Sequence, residues 1–395
     1  MSGVLGIIAE YDPFHLGHKY HMEEALSKTD ADVTVCVISG DFTQRGEPAI
    51  ADKWARAEMA LKQGADLICE LPFVFACNNA GYFAKGGVEI LEALGADFIS
   101  FGSETADVEA LLEAAESRKN LTEAQEEEIR AYVKKGYSYP RALGEVLGES
   151  AERGPNDTLA VEYIRHMKSA KPVPVLRKGA GHGELLEEEE MASATLIRQK
   201  ILEYGTISCV HSMIPESTAD ILLRERTRGE FADPEMLLPF LQARAAVLSA
   251  DELNSVYGAE EGLGSKLKEN FRYADSYEKL IESLKSKRYT RTRIQRVLVH
   301  TLLGLTRDDV INAKNYIRIL GFSAKGAEYL RKLKKSGGPG LPLIENIKKD
   351  LNEHPELAGT FSLDVAASDL YNTMCQRDLY INSEYVKKPL KSQAE

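Results

Sequence analysis

The feature that most constrains this chain is an alternation running through its first half. Short runs of β-branched and apolar residues alternate with stretches whose apolar residues recur every three or four positions. That is the pattern of a parallel sheet covered by helices. Strands are predicted at Val4–Ala9, Val33–Ile38, Leu67–Glu70, Phe98–Phe101 and Val173–Arg177, with helices starting near Gly17, Lys53 and Gly81. Near-continuous apolar runs such as Val33-Thr34-Val35-Cys36-Val37-Ile38 suit a sheet buried on both faces. A doubly wound α/β domain follows.

Two regions break the alternation. Residues 104–150 hold 11 acidic and 6 basic side chains and no convincing strand, so they read as a helical insertion or lid with solvated charges. From about Ile207 onward the pattern is helical almost throughout, which predicts a separate α domain over 207–395 after an α/β domain over 1–206. The Lys-rich tail after Tyr385 is expected to fray. A chain of 395 residues fits two or three such units.

Charge and cysteine content exclude some functions. With 49 Lys and Arg against 61 Asp and Glu, the net charge of −12 rules out a uniformly basic, nucleic-acid-coating protein, so any such contact must come from a local patch. Nothing approaches the roughly 18 to 20 apolar residues of a membrane span, and the expected compartment is the cytoplasm. The five cysteines are scattered without a C-x-x-C pair and read as buried thiols.

The strongest chemical signal follows the first strand: Glu10-Tyr11-Asp12-Pro13-Phe14-His15-Leu16-Gly17-His18. A strand that ends in Pro-Phe-His-x-Gly-His and enters a helix puts two imidazoles at a helix N-terminus, where free N–H groups and the macrodipole favour an anion such as a nucleotide phosphate. Gly17 would let the backbone come close, and His15 and His18 would donate hydrogen bonds as charge builds in a displacement. Two plainer readings stay open: His15, His18 and His21 as metal ligands, although no persuasive fourth partner exists and no metal site is assigned, or ordinary surface histidines.

This motif resembles the HIGH signature of the nucleotidyltransferase superfamily, whose usual second motif can read Ser-x-Thr-x-x-Arg. Ser193-Ala194-Thr195-Leu196-Ile197-Arg198 fits it. Hydroxyl residues at a helix start can bind phosphate and Arg198 adds a fixed charge, while a plain helix N-cap is the alternative. Further stretches narrow the resemblance: Ser39-Gly40-Asp41-Phe42-Thr43-Gln44-Arg45-Gly46-Glu47-Pro48-Ala49, Lys53-Trp54-Ala55-Arg56, Glu70-Leu71-Pro72, Phe101-Gly102-Ser103-Glu104, Gly154-Pro155-Asn156-Asp157 and Lys287-Arg288-Tyr289-Thr290-Arg291-Thr292-Arg293-Ile294-Gln295-Arg296. Over roughly residues 1–325 the chain resembles the bacterial tRNA(Met) cytidine acetate ligase family.

The resemblance implies activation of acetate by ATP, with Mg²⁺ as the nucleotide complex, to acetyl-adenylate, then acetyl transfer to N4 of the wobble cytidine of elongator tRNA(Met). It implies catalytic roles for His15, His18, Ser193, Thr195 and Arg198. The implied ATP site comprises Ile7, Ile8, Ala9, Glu10, Tyr11, Asp12, Pro13, Phe14, His15, Leu16, Gly17, His18, Lys19 and Tyr20, with Gly102, Asn156, Arg177 and Lys178. The family usually has Asn and Asn where this chain has Asp12 and Leu16, so Asp12 places a carboxylate near the phosphates that needs Mg²⁺ or a basic neighbour to compensate it. Lys53, Arg56 and Arg45 follow the Gly40 loop and are candidate phosphate or tRNA contacts.

Lys285 to Arg296 contain six basic and no acidic residues. Lys285, Lys287, Arg288, Arg291, Arg293 and Arg296 could reach phosphates and Tyr289 could stack on a base; a solvated basic helix is the alternative. Two other functions remain to be weighed: a small-molecule adenylyl- or cytidylyltransferase, and a non-catalytic RNA- or nucleotide-binding protein. A homodimer is left open.

Overall fold

Alternate residues of the first strands go to opposite faces of the sheet, and both faces are buried. In the computed structural model, which describes residues 3–137, 139–148, 154–177, 192–260, 262–377 and 382–392, Val35 and Val37 join one hydrophobic cluster while Cys36 and Ile38 join another. The five expected strands form: β1 (Gly3–Ala9), β2 (Ala31–Ser39), β3 (Leu67–Leu71), β4 (Phe98–Ser103) and β5 (Lys171–Leu176). Helices α1 (Leu16–Ser27) and α2 (Lys53–Lys62) cover one face; helices Ala80–Ala93 and Pro155–His166 cover the other.

These five strands are mutually parallel in the order β5-β4-β1-β2-β3. The chain leaves β1 toward β2 and β3 and later returns to β4 on the other side. That reversal opens a crevice at the carboxyl ends of β1 and β4, where doubly wound sheets bind ligands.

The second half is helical for most of its length but returns three strands to the same sheet. Strand β6 (Ile317–Phe322) lies antiparallel to β3, and β7 (Leu343–Ile344) and β8 (Leu390–Lys391) run parallel to β6. The sheet therefore crosses the division drawn at residue 206, and the half after it is not wholly helical. The tail does not fray through residue 392, because Leu390 and Lys391 pair with Gly321 and Phe322. Residues 104–150 do form helices, Val108–Lys119, Glu123–Lys134 and Tyr139–Leu147, with a small core of Ile129, Ala142 and Leu143.

Buried charges tie the two halves together. Lys53 Nζ lies 2.6 Å from Glu70 and 2.9 Å from Glu384, and Arg318 lies 2.8 Å from Glu384. Arg56 is fully buried and donates to the carbonyls of Glu10, Ser39, Gly40 and Ala51. Neither Lys53 nor Arg56 can reach a phosphate or tRNA; only Arg45, at the loop tip, is exposed.

Candidate functional site at the end of the first strand

The segment after β1 turns sharply through Tyr11, whose φ is 49°, and a cis Asp12–Pro13 bond, which buries Tyr11 and Phe14 and delivers His15 to the N-cap of α1. His15 Nδ1 accepts the N–H of Gly17 at 3.0 Å, and His18 Nδ1 accepts the N–H of His15 at 3.3 Å, a capping box built from two imidazoles. The rings stack with centroids 3.7 Å apart, and Tyr11 meets His18 edge-on at 4.9 Å.

These contacts fix the tautomers. A ring nitrogen that accepts a hydrogen bond carries no proton, so in each neutral ring the proton sits on Nε2, which remains a donor. Burial first, then the charges of Arg177 and Arg198, lowers the His15 pKa to about 3; burial and the neighbouring imidazoles and Arg177 lower His18 well below its ordinary range. Both act as neutral Nε2–H donors near pH 7. His21 faces elsewhere: Ser100 Oγ donates to Val173 O at 2.8 Å, so His21 Nε2 donates to Ser100 Oγ at 2.9 Å.

The expected free N–H groups at this helix start are all engaged. Leu16 N–H goes to Met213 O, Gly17 N–H to His15 Nδ1, and the N–H groups of His18 and Lys19 to His15 O. The backbone at this helix start therefore keeps no unpaired N–H among these four residues for an anion. Gly17 is also required by its own motif: a Cβ there would stand 2.8 Å from the His15 ring.

The second motif arrives at the same place. Helix Ala194–Tyr204 packs Ile197 and Ile201 into the cluster holding Tyr11 and Phe14, and one turn from its start Arg198 Nη1 donates to Asp12 O at 2.9 Å. The same Nη1 lies 3.2 Å from Asp12 Oδ2, and Nη2 lies 3.3 Å from Glu47 Oε2. Arg198 is the basic neighbour that Asp12 requires; the other Asp12 oxygen accepts Ile50 N–H at 2.7 Å. Ser193 caps its helix by accepting Leu196 N–H at 3.2 Å, which leaves its hydroxyl proton to donate outward, and Thr195 is exposed.

Across the crevice, Asn156 and Arg177 meet. Glu104, at the end of β4, accepts from Asn156 N at 3.1 Å and Asn156 Nδ2 at 2.6 Å, turning Asn156 Oδ1 to accept Arg177 Nη1 at 2.8 Å. The Arg177 stem passes over Gly102, where a Cβ would lie 3.4 Å from it. Sequence reasoning missed Glu104 as the organiser, although it sits inside the quoted Phe101-Gly102-Ser103-Glu104 stretch. In the first segment the Ile7 and Ile8 side chains belong to the two cores, so they shape the site without facing it, while Lys19 is exposed and Ala9, Glu10, Leu16 and Tyr20 are half-buried. Lys178 lies outside the described residues. Among the described residues, no three His, Cys, Asp or Glu side chains gather as a metal site.

The basic stretch lies beside this site but is partly committed to the fold. A Cβ on Gly46 would fall 2.3 Å from Arg296 N, so helix Arg291–Leu303 sits directly on the loop carrying Glu47. Arg291 pairs with Glu278 through two 2.6 Å contacts, Arg293 reaches Gly258 O at 3.2 Å, Arg296 reaches Gln44 O at 3.2 Å, and Lys285 pairs with Glu282. Tyr289 is buried with Arg293 over its ring, which corrects the expectation that it stacks on a base. Lys287 is exposed and Arg288 half-buried, and neither enters these contacts.

A doubly wound sheet with paired imidazoles after its first strand and an arginine helix closing on them defines the nucleotidyltransferase class, and the HIGH Nucleotidyl Transferase family model matches residues 2–385. The tRNA(Met) cytidine acetate ligase of Bacillus licheniformis is 38% identical, with 98% of this chain and 97% of that protein covered; that of Caldicellulosiruptor bescii is 34% identical, with 98% of each covered. The crystal structure of apo Thermotoga maritima TmcAL superposes with a TM-score of 0.90 at 31% identity over 98% of this chain and 99% of that one, and TmcAL bound with alpha-thio ATP with 0.88 over 99% and 100%. The chain belongs to the tRNA(Met) cytidine acetate ligase family.

Proposed function

We propose that this chain uses ATP to activate acetate as acetyl-adenylate and transfers the acetyl group to N4 of the wobble cytidine of elongator tRNA(Met). The observation that carries the reading is the pair of Nε2–H donors on His15 and His18, held by backbone contacts at the switch point of the sheet with Arg198 beside them. The names of relatives matched end to end support the substrate, and a relative's structure with alpha-thio ATP supports the nucleotide.

In the first step an acetate oxygen attacks the α-phosphorus and pyrophosphate leaves. Negative charge gathers on the phosphoryl oxygens, and preorganised neutral donors stabilise it without reorganising. Ser193, Thr195 and Arg198 supply hydroxyls and charge from the other side, and Asn156 with Arg177 lines the far wall. Mg²⁺ would come with the nucleotide, since no carboxylate cluster among the described residues would hold it; it would neutralise phosphate charge. In the second step the cytidine amine attacks the acetyl carbonyl, AMP leaves, and no enzyme nucleophile is required.

The basic face from Lys285 to Arg296, with Lys287 exposed and Arg288 half-buried outside the contacts that commit the other arginines to the fold, supports tRNA docking beside the adenylate. ATP and tRNA as substrates favour the cytoplasm, and among the described residues no helix is long and apolar enough to cross a membrane. The test is incubation with ATP, radiolabelled acetate and total tRNA followed by nucleoside analysis. Labelled N4-acetylcytidine is expected; adenylyl transfer to a phosphate ester with no labelled nucleoside would favour a small-molecule nucleotidyltransferase, and nucleotide binding without adenylate would favour a non-catalytic protein.

A further inference from the structure

Glu47 is a carboxylate that neither motif contains. It sits where a tight loop meets both halves of the chain, with Oε2 3.3 Å from Arg198 Nη2 and Oε1 accepting from Gln295 Nε2 at 2.7 Å. Gln295 is buried and comes from helix Arg291–Leu303, far along the chain from the nucleotide motifs.

The loop is built to hold this carboxylate still. Thr43 N–H donates to Glu47 O at 2.9 Å, and Glu47 N–H returns to Thr43 Oγ1 at 3.3 Å. Gly46 takes φ 80°, a left-handed turn that lets the helix backbone press against the loop. Gln44 N–H is tied to Glu10 at 2.7 Å and Gln44 Nε2 to Asn78 O at 2.9 Å.

We infer that Glu47, oriented by Gln295, is a positioning residue that sets the plane of the Arg198 guanidinium, so that adenylate formation depends on a side chain of the helical half. With Nη1 on Asp12 and Nη2 on Glu47, each terminal nitrogen has its own anchor, and anchoring at two points restrains rotation of the planar guanidinium. The inference rests on the proposed activity of the site only for its kinetic readout.

The test uses the full-length protein and three variants: Glu47→Gln, which keeps shape and the acceptor for Gln295 but removes charge toward Arg198; Gln295→Met, which keeps volume but removes the donor; and the double variant. Acetate-driven ATP–pyrophosphate exchange is measured without tRNA, alongside melting temperature and crystal structures of the single variants. Expected is a fall in kcat of about 10- to 100-fold with KM for ATP changed no more than about threefold. The double variant should be no worse than Glu47→Gln alone, and Arg198 should be displaced in the crystals. If one variant does not fold, the other decides.

Turnover within twofold of wild type, faster turnover, a change confined to KM, or Arg198 unmoved despite slower turnover would each overturn the inference. If wild type shows no acetate-driven exchange while Arg198 still moves in the variants, positioning by Glu47 stands and the acetate reading falls.

Discussion

The imidazole of His18 accepts the backbone N–H of His15 through Nδ1, and the two rings stack at 3.7 Å. That contact fixes His18, and the Gly17 N–H on His15 Nδ1 fixes His15, each as a neutral Nε2–H donor, and the pair enters the site without the counter-charge that an imidazolium would need.

That state has a pH signature. Burial, with the charges of Arg177 and Arg198, lowers His15 from 6.5 to about 3; burial also lowers His21 and His300 to about 4 and holds His18 well below its ordinary range. The unfolded chain takes up protons near pH 6.5 that the folded chain refuses. The histidine contribution is therefore complete above pH 6.5 and is lost as pH falls from there toward about 3, by up to about 1.4 kcal/mol per pH unit per group. Urea midpoints should fall over that range less steeply for His15→Asn than for wild type; parallel curves would contradict the assignment.

Lys53 is structural. Removing its charge leaves the buried Glu70 and Glu384 with Arg318 as their one remaining ion-pair partner among the described residues. Lys53→Met should lose about 3–5 kcal/mol of stability by denaturant titration, with KM for ATP unchanged in whatever fraction folds. A stable protein with weakened ATP affinity would contradict this structural role.

Arg177 is held by Asn156 and reaches the crevice from the end of β5. Arg177→Ala should raise KM for ATP about tenfold, the scale of one charge-assisted contact. Unchanged KM would remove it from the nucleotide site.

On the basic face, Lys287→Ala with Arg288→Ala should weaken tRNA acetylation and reduce the slope of log affinity against log salt by about 1 per lost phosphate contact. Acetate-driven exchange should be unaffected. Arg293 and Arg296 hold the Gly258 and Gln44 carbonyls, so their replacement should also lower the melting temperature. An unchanged salt slope in the Lys287 and Arg288 variant would move tRNA docking elsewhere.

The features readable in the sequence were local. Pro-Phe-His-x-Gly-His speaks through a helix start, and the spacing of Ser193 and Arg198 through one helical turn. The five parallel strands announce themselves because each is apolar on both faces. Strand β6 did not: Ile317 to Leu320 is too short a run to separate strand from buried helix by period. Lys53 and Arg56 read as surface charges because the groups that bury them, Glu384 and the Ser39 and Gly40 carbonyls, are brought in by tertiary folding. The compensation of Asp12 by Arg198 and the clamp of Glu47 by Gln295 join residues 186 and 248 positions apart, beyond any local pattern.

The most direct measurement is acetate-dependent ATP–pyrophosphate exchange, without tRNA, for wild type, His15→Asn and His18→Asn. Asparagine can replace the Nδ1 acceptor of each cap but not the Nε2–H donor. Wild-type exchange that requires acetate, with each variant folded and slowed by about 10²- to 10³-fold, is the predicted result. Exchange within a few-fold of wild type in both variants, or none with acetate in the wild type, would contradict adenylate formation at these imidazoles.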